Sequence, residues 1–519
     1  MTARSSSRSA ALKVDGLGSS APGPPDVLTL EIVRGALTSI AEEMKSVVMR
    51  ASFSPLLNLS GDLSCAILDP NGDVVAQGND IPVHLGAMPF TARGLLSDPR
   101  TRDLAPGDVL MTNDPYVGGS HLPDVTLVSP VFEDGKPLAL CASRVHWPDV
   151  GGTTPGSSAS VDDILKEGVR IPPVKLAHGG QIDEALIAVL LANMRLPKDR
   201  RGDLEAQLAG NRRGSSRIIE LVRRYGAATL SEVFGAVQRY SEVLVRRGLQ
   251  AIPDGEYCNV EALDGDGFDP SPNAPAIRVR VHKRGDGIHF DFSGTASYAR
   301  GSVNAPLSVT ASSVYYATLA ILGGRIPVNS GAYRPITITA PPGSLVNASH
   351  PAPVVSANTE TASRIVDVVM GALGRGVPSL VAAGSYGSAG VYTLSGFDPR
   401  SRRRFVHYET VGGGMGATCH GEGPSGMRVH MGNTMNLPIE SVESSLPVLV
   451  RRYELIPESR GTGYWRGGCG ARKVIEARTD GVAFSVLGER TETPAAGLAG
   501  GGPGGLASFR VLVADGQEI

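Results

Sequence analysis

Histidine and aspartate residues that could bind a metal ion occur in two short segments rich in glycine and proline. The first segment, residues 113–124, contains His121 three residues before Asp124. The second, residues 144–152, contains His146. Glycine and proline form turns, and turns can direct several side chains to one point. Two imidazoles and one carboxylate leave coordination positions open, as a catalytic metal requires, so these three residues indicate a metal site.

The spacing between the two segments bears on whether the side chains meet. Strand patterns cover Val125–Phe132 and Pro137–Val145, with turn residues between them. If the loop is residues 134–136 with a glycine bulge, Asp124 and His146 lie directly opposite each other. A two-residue loop would instead place them one residue out of register and on opposite faces of the hairpin. The sequence alone does not decide between these two loop lengths.

The chemistry of the ligand set predicts a divalent metal without identifying it. Mixed nitrogen and oxygen ligands suit Zn, Mn or Fe about equally. Taken singly, each histidine is more often a hydrogen-bonded structural residue, so the prediction depends on the three residues together. Asp62 and His84 are weaker candidates for a general base or proton carrier. Asn113 and Asp114 could hydrogen-bond the ligands and orient them.

Several other catalytic signatures do not occur in the sequence. There is neither a G-x-x-x-x-G-K-[ST] nucleotide loop nor a G-x-S-x-G serine-hydrolase turn. The glycine run 412–416 follows Glu409, and such a run alone is more typical of tight turn packing than of phosphate binding. None of the five cysteines forms a C-x-x-C pair, which disfavours a disulfide framework or zinc knuckle and favours a reducing cytosol.

Composition limits the possible partners. The formal net charge is −2, so no basic surface points to nucleic acid or to an anionic membrane. No run of about 18 apolar residues suggests a membrane span. The first 25 residues lack the apolar core of a signal peptide and are predicted to be a disordered tail, so a cytoplasmic location is expected.

The order of helix and strand patterns along the chain predicts a mixed α/β (α+β) fold. This fold is multi-domain and rich in β-hairpins, with a helical insert near the middle. A chain of 519 residues is too long for one core. The predicted divisions are a tail (1–25), an N-terminal α/β domain with the candidate metal site (26–180), a helical segment (181–250), a central α/β domain (251–390) and a glycine-rich, β-rich C-terminal domain (391–519).

Apolar periodicity predicts the individual elements. A long amphipathic helix is expected at Leu30–Ala51 and a hairpin with its turn at Asn71–Gly72. Within the helical segment, Gln181–Leu196 carries an apolar stripe, and Asp203–Tyr225 and Thr229–Leu249 are predicted to form an antiparallel pair. Prolines at positions 130 and 137 indicate that at least one strand of the candidate metal hairpin is an edge strand or is bulged.

The sequence resembles the hydantoinase B / oxoprolinase family over roughly residues 30–505. The family also includes the alpha-type subunits of acetone and acetophenone carboxylases. The resemblance lies in several long motifs in the same order: Ile81-Pro-Val-His-Leu-Gly-Ala-Met-Pro89, Asn113-Asp-Pro-Tyr116 through His121-Leu-Pro-Asp124, Glu167-Gly-Val-Arg-Ile-Pro-Pro173, Gly301-Ser-Val-Asn-Ala-Pro306, Tyr408-Glu-Thr-Val-Gly-Gly-Gly-Met-Gly416 and Tyr453-Glu-Leu-Ile-Pro457.

The resemblance implies a partner and a reaction. Family members work in hetero-oligomers with a hydantoinase A-type ATPase subunit, which binds ATP and phosphorylates the carbonyl oxygen of a small cyclic amide. The B-type subunit then completes hydrolysis, or carboxylation in the carboxylase relatives. In those relatives a divalent metal lies on a His-x-x-Asp…His set, which corresponds to His121, Asp124 and His146.

Three functions are therefore open. The first is an ATP-dependent cyclic amidohydrolase of the hydantoinase or 5-oxoprolinase type, in which the metal lowers the pKa of a bound water. The second is a subunit of an ATP-dependent ketone carboxylase, and the third is a non-catalytic scaffold for the ATPase. The sequence lacks the long extension of acetone carboxylase alpha-type subunits, which favours the hydrolase. It also lacks the Tyr-Gly-Asp-Pro ending common in the family, so a trimmed or divergent C-terminus is expected.

Overall fold

The computed structural model describes residues 26–156, 161–268, 274–323 and 326–513. The predicted disordered tail lies outside these ranges. The α-helices of the described residues are α1 (Val27–Ala51), α2 (Pro55–Asn58), α3 (Pro82–Ser97), α4 (Glu184–Ala192), α5 (Pro197–Tyr225), α6 (Ala227–Leu249), α7 (Leu307–Leu322), α8 (Ser330–Tyr333), α9 (Ala362–Gly374) and α10 (Ile439–Ser445). A π-helical turn, Ala357–Thr361, leads into α9.

The strands of the described residues are β1 (Leu63–Leu68), β2 (Val74–Gln77), β3 (Val109–Thr112), β4 (Asp124–Glu133), β5 (Lys136–His146), β6 (Val174–His178), β7 (Gln181–Ile182), β8 (Gly255–Ala262), β9 (Ala276–Arg284), β10 (Gly287–Asp291), β11 (Ile336–Thr339), β12 (Val391–Asp398), β13 (Arg403–Thr410), β14 (Val448–Ile456), β15 (Gly470–Ala477) and β16 (Ala483–Leu487). They form sheets in the orders β2-β1-β5-β4-β3-β6-β7, β11-β10-β9-β8, β13-β12-β16 and β14-β15. Mixed helices and antiparallel hairpins confirm the predicted fold class.

The seven-stranded sheet is covered on both faces. Cys65 and Ile67 of β1 join the apolar core that includes α1 and α5. Ala66 and Leu68, which alternate with them, join a second core beneath α3. Alternate residues of a strand point to opposite faces, so two layers of helices enclose this sheet. Strands β1 to β5 are buried along most of their length for that reason.

Helix α1 begins at an N-cap and buries one face, as its periodicity predicts. The Asp26 carboxylate accepts hydrogen bonds from the backbone N–H groups of Leu28 and Thr29, which would otherwise lack partners. The residues that α1 buries lie on one stripe: Val33, Leu37, Ile40, Ala41, Met44 and Val48. Ile32 lies beside that stripe and is 46% exposed.

The helical segment differs from its prediction at two places. Gln181–Ile182 forms β7 instead of a helix turn, because residues 179–180 are glycines with positive φ that close a hairpin with β6. Helix α5 packs mainly along α1 and much less against α6, its predicted antiparallel partner. A Cβ atom at Gly210 or Gly214 of α5 would contact Val48 or Met44 of α1, so glycine permits the close approach.

Helix α3 joins the sheet to a second set of layers. It packs against α7, which in turn packs against α9, and the four-stranded sheet lies beyond them. A Cβ atom at Gly86 of α3 would lie 2.6 Å from the Ser312 Cα of α7, so the two backbones nearly touch. Among the described residues, no helix combines the length and apolar character needed to cross a membrane.

Candidate metal centre

The β4–β5 hairpin places Asp124 directly opposite His146. Its turn is the two-residue loop 134–135, in which both residues have positive φ, and not the three-residue loop. A bulge leaves Leu138 of β5 without an opposite residue and restores the register beyond it. Residues that face each other across a ladder project from the same face. Asp124 and His146 are therefore paired as expected, but a bulge in β5 produces the pairing. The bulge agrees with the prediction, made from the prolines at positions 130 and 137, that at least one strand of this hairpin is bulged or at an edge.

The structure brings His121, Asp124 and His146 together in the interior. The Nδ1 atom of His121 lies 3.1 Å from Oδ2 of Asp124. The Nδ1 atom of His146 lies 3.4 Å from Oδ1 of the same carboxylate. One ligand atom from each residue lies within 4.8 Å of the others, and all three side chains are buried. The three residues that the sequence singled out thus share one site.

Several polar atoms of this cluster have no hydrogen-bond partner in the described part of the chain. They are both ring nitrogens of His121, Oδ1 of Asp124 and Nε2 of His146. The His121–Asp124 contact is close, but it lacks the geometry of a hydrogen bond. Leaving buried polar atoms unpaired costs free energy. A divalent cation would accept lone pairs from these atoms, so the donor set fits a metal such as Zn, Mn or Fe.

The Asp124 carboxyl group is held in its ionised form. Burial alone would raise its pKa, but the neighbouring imidazoles of His121, His84 and His146 hold that pKa well below its usual range. The Ser120 hydroxyl also donates a hydrogen bond to Oδ2. An ionised carboxylate is the form that binds a cation, so these neighbours prepare Asp124 for that role.

His84, on α3, lies against the same carboxylate. Its Nε2 is 3.1 Å from Oδ2 of Asp124, and its Nδ1 is 3.2 Å from Oγ of Ser64 on β1. Both ring nitrogens therefore have polar neighbours inside the protein. This arrangement fits a role for His84 in orienting Asp124. It fits less well the role of proton carrier that was expected from the sequence.

Arg144, which has no role in the predicted site, lies two residues before His146 on the same face of β5. Its guanidinium is buried and donates to Oγ1 of Thr126 (2.8 Å) and to the backbone oxygen of His84 (3.2 Å). Burial lowers the pKa of Arg144 to about 10, against the opposing effect of Asp124. Arg144 thus connects α3 to the sheet beside the site. Because residues two apart on a strand share a face, the sequence could have indicated that Arg144 lies on the same side as His146.

Asn113 and Asp114 support the site through the backbone, not through the ligand side chains. The Asn113 amide donates to the backbone oxygens of Leu122 (2.8 Å) and Val169 (2.9 Å). The Asp114 carboxylate accepts from the backbone of Tyr116 and from Arg170, each at 3.0 Å. The expected hydrogen bonds to the ligands are therefore replaced by bonds that fix the loop carrying His121.

A small cavity that is open at its mouth lies beside the cluster. Asp62 and His146 form part of its wall, whereas His84 does not reach it. The other lining residues are Ile81, Val83, Asn358, Thr359, Ser363, Ser388, Ala389, Tyr408, Thr410, Arg428, Val429, Met431, Gly432 and Thr434. Burial, with a smaller contribution from Asp124, raises the pKa of Asp62 to about 6 against the opposing effects of His146 and Arg428. Of the two predicted bases, Asp62 is the one that faces this space.

Tyr408 and Thr410 of strand β13, together with the segment 428–434, complete the cavity wall. The ring of Tyr408 packs on that of His146, with centroids 4.6 Å apart. A Cβ atom at Gly412, Gly414 or Gly416 would collide with a backbone oxygen of a neighbouring loop. This glycine run is therefore required by close packing, as the sequence favoured, and it positions the segment that contributes the cavity wall.

Comparison with known proteins gives consistent matches along the chain. A family model described as Hydantoinase B/oxoprolinase matches residues 26–518. The 5-oxoprolinase 1 of Arabidopsis thaliana is 35% identical over 94% of this chain, which spans only 39% of that protein. The caprolactamase subunit beta of Pseudomonas jessenii is 34% identical, and the match covers 92% of this chain and 82% of that protein.

Solved structures share the fold. A chain in the crystal structure of the ATP-dependent caprolactamase from Pseudomonas jessenii superposes with a TM-score of 0.81 at 33% identity, covering 88% of this chain and 79% of that one. A chain of nucleotide-free acetone carboxylase superposes with a TM-score of 0.82, covering 90% of this chain and 66% of that one. The second match is 18% identical and therefore speaks to the fold alone.

Proposed function

This chain belongs to the hydantoinase B/oxoprolinase family, and we propose that it is the B-type subunit of an ATP-dependent enzyme that hydrolyses a cyclic amide. The observation that carries the proposal is the buried group His121, Asp124 and His146 beside a cavity. The names of two relatives, a 5-oxoprolinase and a caprolactamase subunit beta, support a cyclic amide as substrate and a second subunit as partner.

The proposed division of labour follows from the chemistry of amides. An amide carbon is a poor electrophile, and transfer of a phosphoryl group from ATP to the carbonyl oxygen activates it. A hydantoinase A-type ATPase subunit performs that transfer in the hetero-oligomer. One water then adds to the activated carbon, the C–N bond breaks and the nitrogen takes a proton, which leaves an acyl phosphate. A second water releases the carboxylate and inorganic phosphate.

Residues of this chain prepare the hydrolytic step. A divalent ion held by His121, Asp124 and His146 would supply Lewis-acid activation at this point. Asp62 lies in the cavity wall, and burial brings its pKa to about 6, which suits a group that accepts a proton from water near neutral pH. His84 keeps the Asp124 carboxylate in place.

The ketone-carboxylase alternative has weaker support. Its structural basis is the match to acetone carboxylase, which at 18% identity supports the fold and not the reaction. The two reactions differ in one requirement that is easily measured. A carboxylase needs bicarbonate and yields no ring-opened acid, whereas the hydrolase needs only water and ATP.

The test is co-purification with the A-type subunit, followed by ATP-dependent turnover of a panel of hydantoins, 5-oxoproline and lactams together with metal analysis. His121→Ala and His146→Ala should abolish ring opening but leave partner-dependent ATP turnover at least partly intact. His420→Ala, at an exposed histidine, is the matched control and should retain activity. Unchanged ring opening in both site variants would reject the catalytic proposal. Full activity of metal-free protein would favour the scaffold.

A further inference from the structure

Arg428 is a cation in the cavity wall, and no carboxylate of the described ranges forms an ion pair with it. Its Nη2 donates to Oδ1 of Asn436 at 2.9 Å. Its Nε and Nη1 are buried and have no hydrogen-bond partner in the described part of the chain. The nearby carboxylate of Glu409 instead forms an ion pair with Lys473, whose Nζ lies 2.6 Å from Oε2. Two donors of one guanidinium therefore have no partner among the described residues, and Arg428 is one of the residues that line the cavity.

Unpaired buried donors on a charged group are costly, so their persistence points to a ligand. Burial lowers the pKa of Arg428, but an arginine stays protonated at any physiological pH. Its planar fork matches the oxygens of a phosphoryl group or a carboxylate in a bidentate arrangement. The complementary occupant is thus an anion with at least two oxygens on one centre.

The charges around the cavity indicate where an anion would be held. Of the lining residues, Arg428 carries the one permanent positive charge, and Asp62 is an acid in the same wall. His146, one of the three candidate metal ligands, also lines this space. An anionic group placed on Arg428 therefore holds the molecule to which it is attached within the cavity that contains the proposed hydrolytic residues.

We propose that Arg428 binds the phosphoryl group of the activated cyclic amide and so positions its ring beside Asp62 and His146. This inference rests on the proposed function, because that function supplies a phosphorylated amide. Asn436 has the supporting role of holding one edge of the guanidinium, which leaves Nε and Nη1 for phosphoryl oxygens. An unphosphorylated ring lacks this contact, so Arg428 also distinguishes activated from unactivated substrate.

A binding titration tests the site without the partner. Inorganic phosphate is titrated calorimetrically into the full chain, and into Arg428→Gln and Arg428→Lys. Loss of charge-assisted bonds should weaken phosphate binding by about 10-fold or more in Arg428→Gln, with partial recovery in Arg428→Lys. Arg451→Gln removes an exposed arginine that pairs with Glu476, so it controls for net charge and should bind as the parent does.

Two outcomes of the titration overturn the inference. The first is unchanged phosphate affinity in Arg428→Gln while its melting temperature matches that of the parent. The second is a preference for acetate over phosphate, which would assign the guanidinium to a carboxylate. If Arg428→Gln fails to fold, Asn436→Ala provides the second variant, and unchanged phosphate affinity in it and in Arg428→Lys would also overturn the proposal.

Turnover by the complex with the A-type subunit separates this inference from the proposed function. Arg428→Gln should open the ring at least about 10-fold more slowly while ATP hydrolysis persists, so that more ATP is consumed per ring opened. If the parent complex opens rings and Arg428→Gln shows the same ratio of ATP to product, only the role of Arg428 is wrong. If the parent complex opens no cyclic amide, the proposed function fails, and the assignment to a phosphorylated amide fails with it.

Discussion

The Nε2 atom of His84 lies 3.1 Å from Oδ2 of Asp124, although His84 belongs to helix α3 and Asp124 to strand β4. This contact joins the helix layer to the sheet at the candidate metal centre. Arg144 strengthens the junction by donating to the backbone oxygen of His84 at 3.2 Å. The orientation of the Asp124 carboxylate therefore depends on the packing of α3 as well as on the β4–β5 register.

Replacing His84 with glutamine should weaken metal binding without unfolding the protein. Removing a residue that orients a metal ligand typically lowers metal affinity by roughly 10–100-fold. The measurement is a competition titration of Zn or Mn against a chromogenic chelator. His178→Gln, at an exposed histidine of β6, is the control. Equal affinities in the parent and His84→Gln would show that His84 does not support Asp124.

Adding a divalent metal should raise the melting temperature of chelator-treated protein. A ligand that binds only the folded state at about 100 times its Kd stabilises that state by roughly 2.7 kcal/mol. Asp124→Asn weakens the carboxylate ligand and should remove most of the rise. Differential scanning calorimetry with Zn, Mn or Fe provides the measurement. A rise of the same size in Asp124→Asn would place the metal elsewhere.

Replacing Gly86 with alanine should destabilise the contact between α3 and α7. The new Cβ atom would lie 2.6 Å from the Ser312 Cα, so the backbones must separate. Overpacking of this kind costs about 1–3 kcal/mol in the free energy of unfolding, which urea denaturation measures. The control is Gly35→Ala on α1, where no atom lies within 4 Å and the better helix propensity should add about 0.5–1 kcal/mol. Equal stability of both variants would contradict the close approach.

Replacing Glu167 with glutamine should make stability less sensitive to pH. Burial raises the pKa of Glu167 to about 8, although its Oε1 accepts hydrogen bonds from the backbone N–H groups of Val354 and Val355. The folded protein therefore holds a proton that the unfolded chain releases near pH 4.5. The stabilisation is fully present below that pH and is lost as pH rises toward about 8.

Glutamine keeps the acceptor for both backbone groups and cannot ionise. Urea denaturation between pH 5 and 9 should therefore show a shallower fall in the free energy of unfolding for Glu167→Gln, with a difference of roughly a few kcal/mol at the alkaline end. Glu205→Gln, at an exposed glutamate of α5, should follow the parent curve. Parallel curves for Glu167→Gln and the parent would show that Glu167 is ionised in the folded state.

The candidate metal ligands could be found from sequence because they are close along the chain. His121 and Asp124 are three residues apart, and a single hairpin brings His146 to them. The number of loop residues alone could not decide the register between β4 and β5. The reason is that the bulge at Leu138 depends on how these strands pack into the sheet. Alternation along β5 could also have identified Arg144, since it shares a face with His146.

The remaining parts of the site depend on contacts between distant segments. His84 meets Asp124 only because α3 lies across the sheet, and the local pattern around residue 84 carries no information about that layer. Arg428 enters the cavity because glycines 412–416 allow loops to pack backbone against backbone. Likewise, the sequence could not show that α5 packs on α1, since both helices have more than one face that could be buried.

The cavity wall combines residues that lie far apart along the chain, from Asp62 to Thr434, and this has a consequence for biosynthesis. A polypeptide that is still being translated cannot close the wall before residue 434 has been made. A proteolytic cut that releases the segment with Arg428 and Thr434 would open the wall even where the histidine cluster stayed intact.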